Sequence, residues 1–311
     1  AKTADYSKGG TRMNSSFTVK RSREDLIFDI LNYLVLGSFL LIVLYPLYFI
    51  VIASISDPSS VLNGEVILLP KDLDFSGYKK IFDDQSIWRG YYNTFVYTIL
   101  GTILNVMLTM GIGYPLSRKY FSGRKAIMIY LMITMYFGGG MVPTYLLVKD
   151  LGLRNTSTVM IVMGAVSVFN VIITRSFLEA NIPTELEEAA SIDGCSQLKF
   201  FFKMVLPLSG SIIAVLILYY GIWHWNDYMT GLIYLDDSDK YPLQLIIRSL
   251  LIQTQMEASD AASIESLSER LKVAESIKYG VIIISSLPVL VLYPFLQKHF
   301  TKGVLVGAVK G

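Results

Sequence analysis

Six stretches of this chain, near 27–53, 91–117, 126–148, 156–178, 205–228 and 277–297, each offer about 20 mainly apolar residues. A helix of that length, rising 1.5 Å per residue, crosses roughly 30 Å of hydrocarbon. Backbone N–H and C=O groups find no water in lipid, so only helices and closed barrels satisfy them there. The runs are far too long for barrel strands, and the expectation is an all-α membrane protein with six transmembrane helices. Composition points the same way. Of 311 residues 53% are hydrophobic and 17% charged, against about a quarter charged in a typical soluble domain.

The other bulk properties exclude more than they assign. A net charge of +2 is too small to imply a nucleic-acid partner. The single cysteine, Cys195, rules out an internal disulfide and reads as a small helix-packing residue. Residues 1–26 are polar, with Lys20, Arg21, Arg23, Glu24 and Asp25, so no cleavable signal peptide is expected.

Lys/Arg asymmetry orients the spans. The N-terminal flank, the 118–125 loop (Arg118, Lys119, Arg124 and Lys125, with no acid) and the tail (Lys298, Lys302, Lys310) fall on one side if the count is six. Both termini and the 179–204 loop are then cytoplasmic. The expected organisation is a cytoplasmic segment 1–26, a membrane domain 27–297 and a cytoplasmic tail 298–311. Two long loops face outward. Residues 54–90 are acidic and aromatic, although Lys71, Lys79, Lys80 and Arg89 weaken the bias, and 229–276 carries Asp236, Asp237 and Asp239. Within the latter, 257–276 reads as a solvated helix, with protein docking as its alternative.

Familiar chemistry is missing. His224 and His299 have no companion ligands at metal spacing, so no metal site is expected. There is no Gly-Lys dipeptide, which excludes a Walker A loop and hence nucleotide hydrolysis by a P-loop of this chain's own. Gly111-Ile112-Gly113 and Gly138-Gly139-Gly140 lie inside spans, where close helix packing or local unwinding explains them. Met128, Met132 and Met135 recur at helical spacing and read as packing.

The polar interruption at 181–207 is different. Pro183 tolerates a helix start, and Thr184 with Glu187 has capping-box spacing, so a helix is expected from Thr184. Glu185, Glu187 and Glu188 suit its N-terminal dipole, and Leu186, Ala189, Ala190 and Asp193 share a face. Gly194 ends the helix with a left-handed turn. A second helix from Ser196 then aligns Leu198, Phe201, Phe202 and Val205, and Pro207 opens the next span. Two readings stay open: an interfacial elbow with Phe200, Phe201 and Phe202 dipped into headgroups, or a small-residue surface that another protein grips.

Glu188-Ala189-Ala190, Asp193-Gly194 and Leu206-Pro207, led in by Ile182-Pro183-Thr184-Glu185-Leu186, resemble the EAA loop of permease subunits of bacterial ABC importers. The tail, from Gln297-Lys298-His299-Phe300 to Gly307-Ala308-Val309-Lys310-Gly311, is similar to the carbohydrate branch, the MalG-like permeases. Gly138-Gly139 with Pro143-Thr144-Tyr145, and Tyr241-Pro242-Leu243-Gln244, resemble its oligosaccharide and lipo-oligosaccharide subgroup. Cys195 departs from the Ala often found in the motif, but both are small.

The resemblance implies a type I ABC importer permease fold. It implies a coupling loop, carried by Glu187, Glu188, Ala189, Ala190, Asp193, Gly194, Phe200 and Pro207, that docks on a separate ATPase dimer. ATP and its Mg²⁺ would sit in those subunits, and this chain would bind no cofactor. A second permease subunit and an extracellular sugar-binding protein complete the implied partners, with membrane lipid around them. Polar groups within spans line interiors or cavities; Asn93, Asn105, Thr134, Tyr136, Asn170 and His224 qualify. In the cluster Trp223 to Tyr228, aromatic faces suit sugar rings while Asn226 and Asp227 suit hydroxyls, and an aromatic belt at the interface is the alternative. A self-sufficient secondary transporter would need acids at span centres, and only Asp29, at an edge, comes near. A membrane-embedded enzyme would need a paired acid, histidine or nucleophile at midplane depth, and none is apparent; a polytopic scaffold without an ATPase partner stays as an alternative.

Overall fold

The computed structural model describes residues 23–259 and 264–303. The basic flank at Lys20 and Arg21, residues 260–263 and the tail beyond Gly303 lie outside the described residues. The chain divides into two units, residues 1–49 and 50–311.

The first unit contributes most of α1 (Arg23–Ser54), whose first turn carries Glu24 and Asp25 in the place that favours negative charge. The second unit begins with the short α2 (Pro58–Leu62) and α3 (Ser76–Asp83), then the long α4 (Gln85–Ser117). Next come α5 (Arg124–Tyr136), α6 (Met141–Asp150), α7 (Ser157–Val162) and α8 (Val168–Asn181). The polar interruption forms α9 (Thr184–Ile192) and α10 (Gln197–Phe200), a π-helical turn over Phe201–Val205 and α11 (Leu206–Leu208). Helix α12 (Gly210–Asn226) follows, then α13 (Met229–Tyr234), a 3₁₀ turn, α14 (Leu243–Ser259) and α15 (Ile264–Gly303).

By length and composition α1, α4 and the 269–291 part of α15 suffice to cross a membrane unbroken. Three expected spans depart from straight rods. The 126–148 run bends by 113° between α5 and α6. The Gly138–Gly140 run supplies the bend, and Gly140 sits at φ +85°, which only glycine adopts without strain. The 205–228 run bends by 80° at Ser209. The 156–178 run is not one helix. It breaks between α7 and α8, where Gly164 has φ +64° and a Cβ added there would lie 2.7 Å from the Trp223 ring. The 229–276 stretch, expected to hold one helix near its end, also contains α13 and the buried apolar start of α14.

Helix α4 is the central strut. Its inward residues Met110 and Tyr114 pack with Leu178, Ile182, Phe200, Val205, Leu216 and Tyr220, joining α8, the polar interruption and α12. Gly113 permits the α4–α8 approach, since a Cβ there would meet Thr174 Cγ2 at 2.8 Å. A second cluster around Trp225, Leu243, Ile277 and Val281 binds α12, α14 and α15 together.

Candidate functional site

The interruption at 182–208 folds as a strapped elbow. Helix α9 starts at Thr184, but the capping box does not form. Pro183 occupies the N-cap position, so Thr184 is already helical and Glu187 falls one residue too far along to reach back. At the other end Gly194 has φ +72°. The Cys195 N–H donates to the Ala190 carbonyl at 2.9 Å and the Gly194 N–H to the Ser191 carbonyl at 3.0 Å, the paired bonds of a Schellman turn. Ser196 then caps α10 by accepting from the Lys199 N–H.

The expected stripe Leu198, Phe201, Phe202, Val205 does not share one environment. The π turn adds a residue to the repeat, so Phe200 and Val205, five apart, both turn inward to complete burial, whereas Leu198 and Phe202 remain exposed. Phe201 packs beside Tyr114, with ring centroids 5.3 Å apart.

Glu187 is 5% exposed and Arg118 3%. Arg118 Nη1 lies 3.5 Å from Glu187 Oε2 and donates to the Ile182 carbonyl at 3.1 Å, while Nη2 donates to the Leu178 carbonyl at 3.4 Å. One guanidinium thus closes the carbonyl end of α8 and neutralises a carboxylate on α9. The Tyr120 hydroxyl donates to Glu187 Oε1 at 2.5 Å, and the Tyr114 hydroxyl to Gln197 Oε1 at 2.9 Å. Burial of its hydroxyl, reinforced by the Glu187 carboxylate, holds the Tyr120 phenol well above the usual tyrosine range. The end of α4 therefore grips both helices of the elbow. Sequence reasoning counted Arg118 only as a topogenic charge and missed Tyr114, Tyr120 and Gln197; the inward-facing Glu187 three residues into a short helix was the available signal.

The shared face expected of Leu186, Ala189, Ala190 and Asp193 is divided. Leu186 and Ala190 pack against the core. Glu185, Glu188, Ala189, Ile192, Asp193 and Gly194 are exposed, Ile192 at 87%. Pro207 is exposed on α11. The elbow offers an acidic, small-residue ridge crowned by one isoleucine.

The intramembrane polar residues separate into two groups. His224 is buried, with Nε2 3.0 Å from Asn105 Oδ1, and Asn105 Nδ2 donates to the Gly164 and Ala165 carbonyls at 3.0 and 3.1 Å. Tyr220 OH lies 2.7 Å from Thr109 Oγ1 and accepts from the Ser167 N–H at 3.1 Å. These side chains from α4 and α12 satisfy the backbone freed by the α7–α8 break, so His224 is a structural tie. Asn170 is buried in α8 near that break, while Tyr136 is 78% exposed at the end of α5. Asn93 donates to the Asp239 and Tyr241 carbonyls, and Thr134 to the Leu131 carbonyl.

The second group lines an open groove of about 380 Å³ at the end of α12, formed by Tyr219, Trp223, Asn226, Asp227 and Tyr228. Asp227 Oδ1 accepts from the Thr230 N–H, and its buried Oδ2 has no hydrogen-bond partner. Trp223 presents 41% of its surface. The structure thus brings Trp223, Asn226 and Asp227 together on one groove; His224 packs edge-on behind Trp223, ring centroids 4.7 Å apart, with its Nε2 turned inward to Asn105, and Tyr136 and Asn170 do not line the groove.

Known proteins share this plan. A Bacillus subtilis (strain 168) polygalacturonan/rhamnogalacturonan transport system permease protein, YtcP, is 40% identical over 92% of this chain and 99% of its own. Protein LplC of the same organism is 36% identical over 94% and 98%. A chain from the crystal structure of a bacterial ABC transporter involved in the import of the acidic polysaccharide alginate superposes with a TM-score of 0.80 at 33% identity, covering 90% of this chain and 99% of its own. The family model for the binding-protein-dependent transport system inner membrane component matches residues 15–306. This chain belongs to that family and is a multi-pass permease component of an ABC import system in the cytoplasmic membrane.

Proposed function

We propose that this permease forms, with a second and different permease subunit, the path for a sugar or oligosaccharide through the membrane, and that the exposed ridge of α9 is its coupling contact. Six crossings are proposed, with α7 and α8 together making the fourth, and with the elbow and both termini in the cytoplasm. The Lys/Arg asymmetry at 118–125 supports that orientation. An ATPase dimer receives the ridge in a cleft, and its ATP and Mg²⁺ supply the energy, since this chain has no Gly-Lys dipeptide for a P-loop. An extracellular solute-binding protein supplies the saccharide.

The observation that carries the reading is the elbow itself. Its outer face, Glu188, Ala189, Ile192, Asp193 and Gly194, is exposed, while Glu187, Ala190 and Phe200 anchor it from within. Burying a charged pair to hold a small exposed helix suits a part that transmits displacement, because a pushed helix must not swivel on its base. The saccharide class is supported by the polygalacturonan and rhamnogalacturonan named for one relative and by the acidic polysaccharide alginate named for the solved transporter. The open groove lined by Tyr219, Trp223, Asn226 and Tyr228 offers aromatic ring faces beside a polar amide.

The test is a cross-link. In a Cys195→Ser background, Ala189→Cys should form a disulfide or short bridge to a cysteine in the partner ATPase cleft, sensitive to ATP. Exclusive labelling of that cysteine by lipid-phase reagents would support the interfacial elbow instead.

A further inference from the structure

We propose that a groove at the head of α5 holds the headgroup and upper chains of one anionic phospholipid. The inference rests on the reading that this end of α4 and α5 lies at the cytoplasmic membrane face. The groove, about 550 Å³, is rimmed by Lys119, Arg124, Lys125 and Arg175, and floored by Met128, Ile129 and Met132.

The charges on the rim are unbalanced. Arg124 and Arg175 both pair with one carboxylate oxygen, Glu179 Oε1, Arg175 Nε at 3.0 Å. Lys119 and Lys125 are exposed and make no ion pair among the described residues. Glu185 lines the neighbouring cleft with Lys119 and Arg124 but bonds neither. Four cations therefore face one carboxylate, and the site is complementary to an added anion.

The floor says which anion. Arg124 and Lys125, Met128 and Ile129, and Met132 recur at spacings of four, so they stack along one face of α5. From Arg124 to Met132 the helix rises about 12 Å, more than the roughly 5–8 Å of headgroup region on one side of the hydrocarbon core, so a lipid whose phosphate meets the rim lays its upper chains on the floor. Methionine is flexible and fills irregular contacts with an alkyl chain. A free phosphate would use the rim and leave the floor in water; a phospholipid uses both. Basic pockets beside cytoplasmic helix ends are suited to such headgroups, each Lys or Arg adding about a fivefold preference for an anionic lipid.

The experiment uses the complete transporter, this chain with its partner permease and ATPase subunits. It is reconstituted with phosphatidylglycerol and phosphatidylethanolamine and read by native mass spectrometry. The expected result is retained phosphatidylglycerol on the wild type, a roughly 30-fold loss of it in Lys119→Gln/Lys125→Gln, and the same loss in Ile129→Glu, which spoils the floor and keeps the rim. Equal retention of phosphatidylethanolamine would overturn the proposal. So would unchanged retention in the double variant, displacement of the lipid by inorganic phosphate, or protection of both lysines by an ATPase subunit. Saccharide uptake is measured on the same samples. Uptake without lipid retention removes this proposal alone, and lipid retention without uptake removes the transport reading alone.

Discussion

Arg118, the residue that follows α4, and Glu187, in the first turn of α9, meet as a buried pair 3.5 Å apart across 69 residues of sequence. Removing one member leaves a charge buried without its partner, which costs about 3–5 kcal/mol. Arg118→Ala and Glu187→Ala should each loosen the elbow, seen as faster protease cleavage between Pro183 and Gly194 in the assembled complex. Because Arg118 also closes α8, Arg118→Ala should be the more severe. Equal protection of wild type and both variants would show that the pair does not hold the loop.

Gly194 is required by its backbone. A side chain at φ +72° costs about 1–2 kcal/mol, so Gly194→Ala should lower the cross-link yield at Ala189 modestly. Gly194→Pro should abolish it. Proline cannot adopt that φ and removes the N–H that bonds the Ser191 carbonyl.

Gly101 and Gly111 lie on the same helix and should respond oppositely to alanine. A Cβ at Gly101 would sit 2.2 Å from His224 Nε2, whereas nothing lies within 4 Å of one at Gly111. Gly101→Ala should therefore displace His224 from Asn105 and cost about 1–3 kcal/mol of stability, read as a lower Tm of the purified complex. Gly111→Ala should be neutral or slightly stabilising.

The Tyr120 bond to Glu187 sets a pH window. Its phenol is held above the ordinary tyrosine value of about 10, so the folded state binds its proton more tightly than the unfolded state. Stability from this contact is complete below that value and falls as pH rises beyond it. Elbow protection should be flat from neutral pH to about 10 and weaken above, and Tyr120→Phe should reduce that alkaline dependence. A transition near neutrality that vanishes in Tyr120→Phe would contradict this.

Some of this was legible in the sequence because lipid leaves hydrophobic length unmasked. The helices of 23–54 and 85–117, and the left-handed turn at Gly194, follow from run length and glycine chemistry alone. The break at Gly164 did not, because averaged hydropathy runs straight through it. What holds the break together, Asn105, is 59 residues away. The capping box failed because Pro183 captured the N-cap position and a distant arginine claimed Glu187. The division of the alanine face depended on which side α4 packs, and nothing in 184–193 alone encodes that. The Asp227 groove was foreshadowed by residue types, but only the fold separates His224 from it.

If energy enters through the outward ridge of α9, a change there must stop transport without disturbing assembly. The most direct measurement is ATP-dependent uptake of a saccharide by proteoliposomes holding both permeases and the ATPase dimer, with the binding protein supplied outside. The ATP is offered on the side of the elbow. The exposed Glu188 makes no ion pair among the described residues, so Glu188→Lys should leave assembly in the membrane intact. The predicted result is uptake in the wild type and its loss in Glu188→Lys. Uptake that persists undiminished in this variant, or that needs no ATP, would contradict the account.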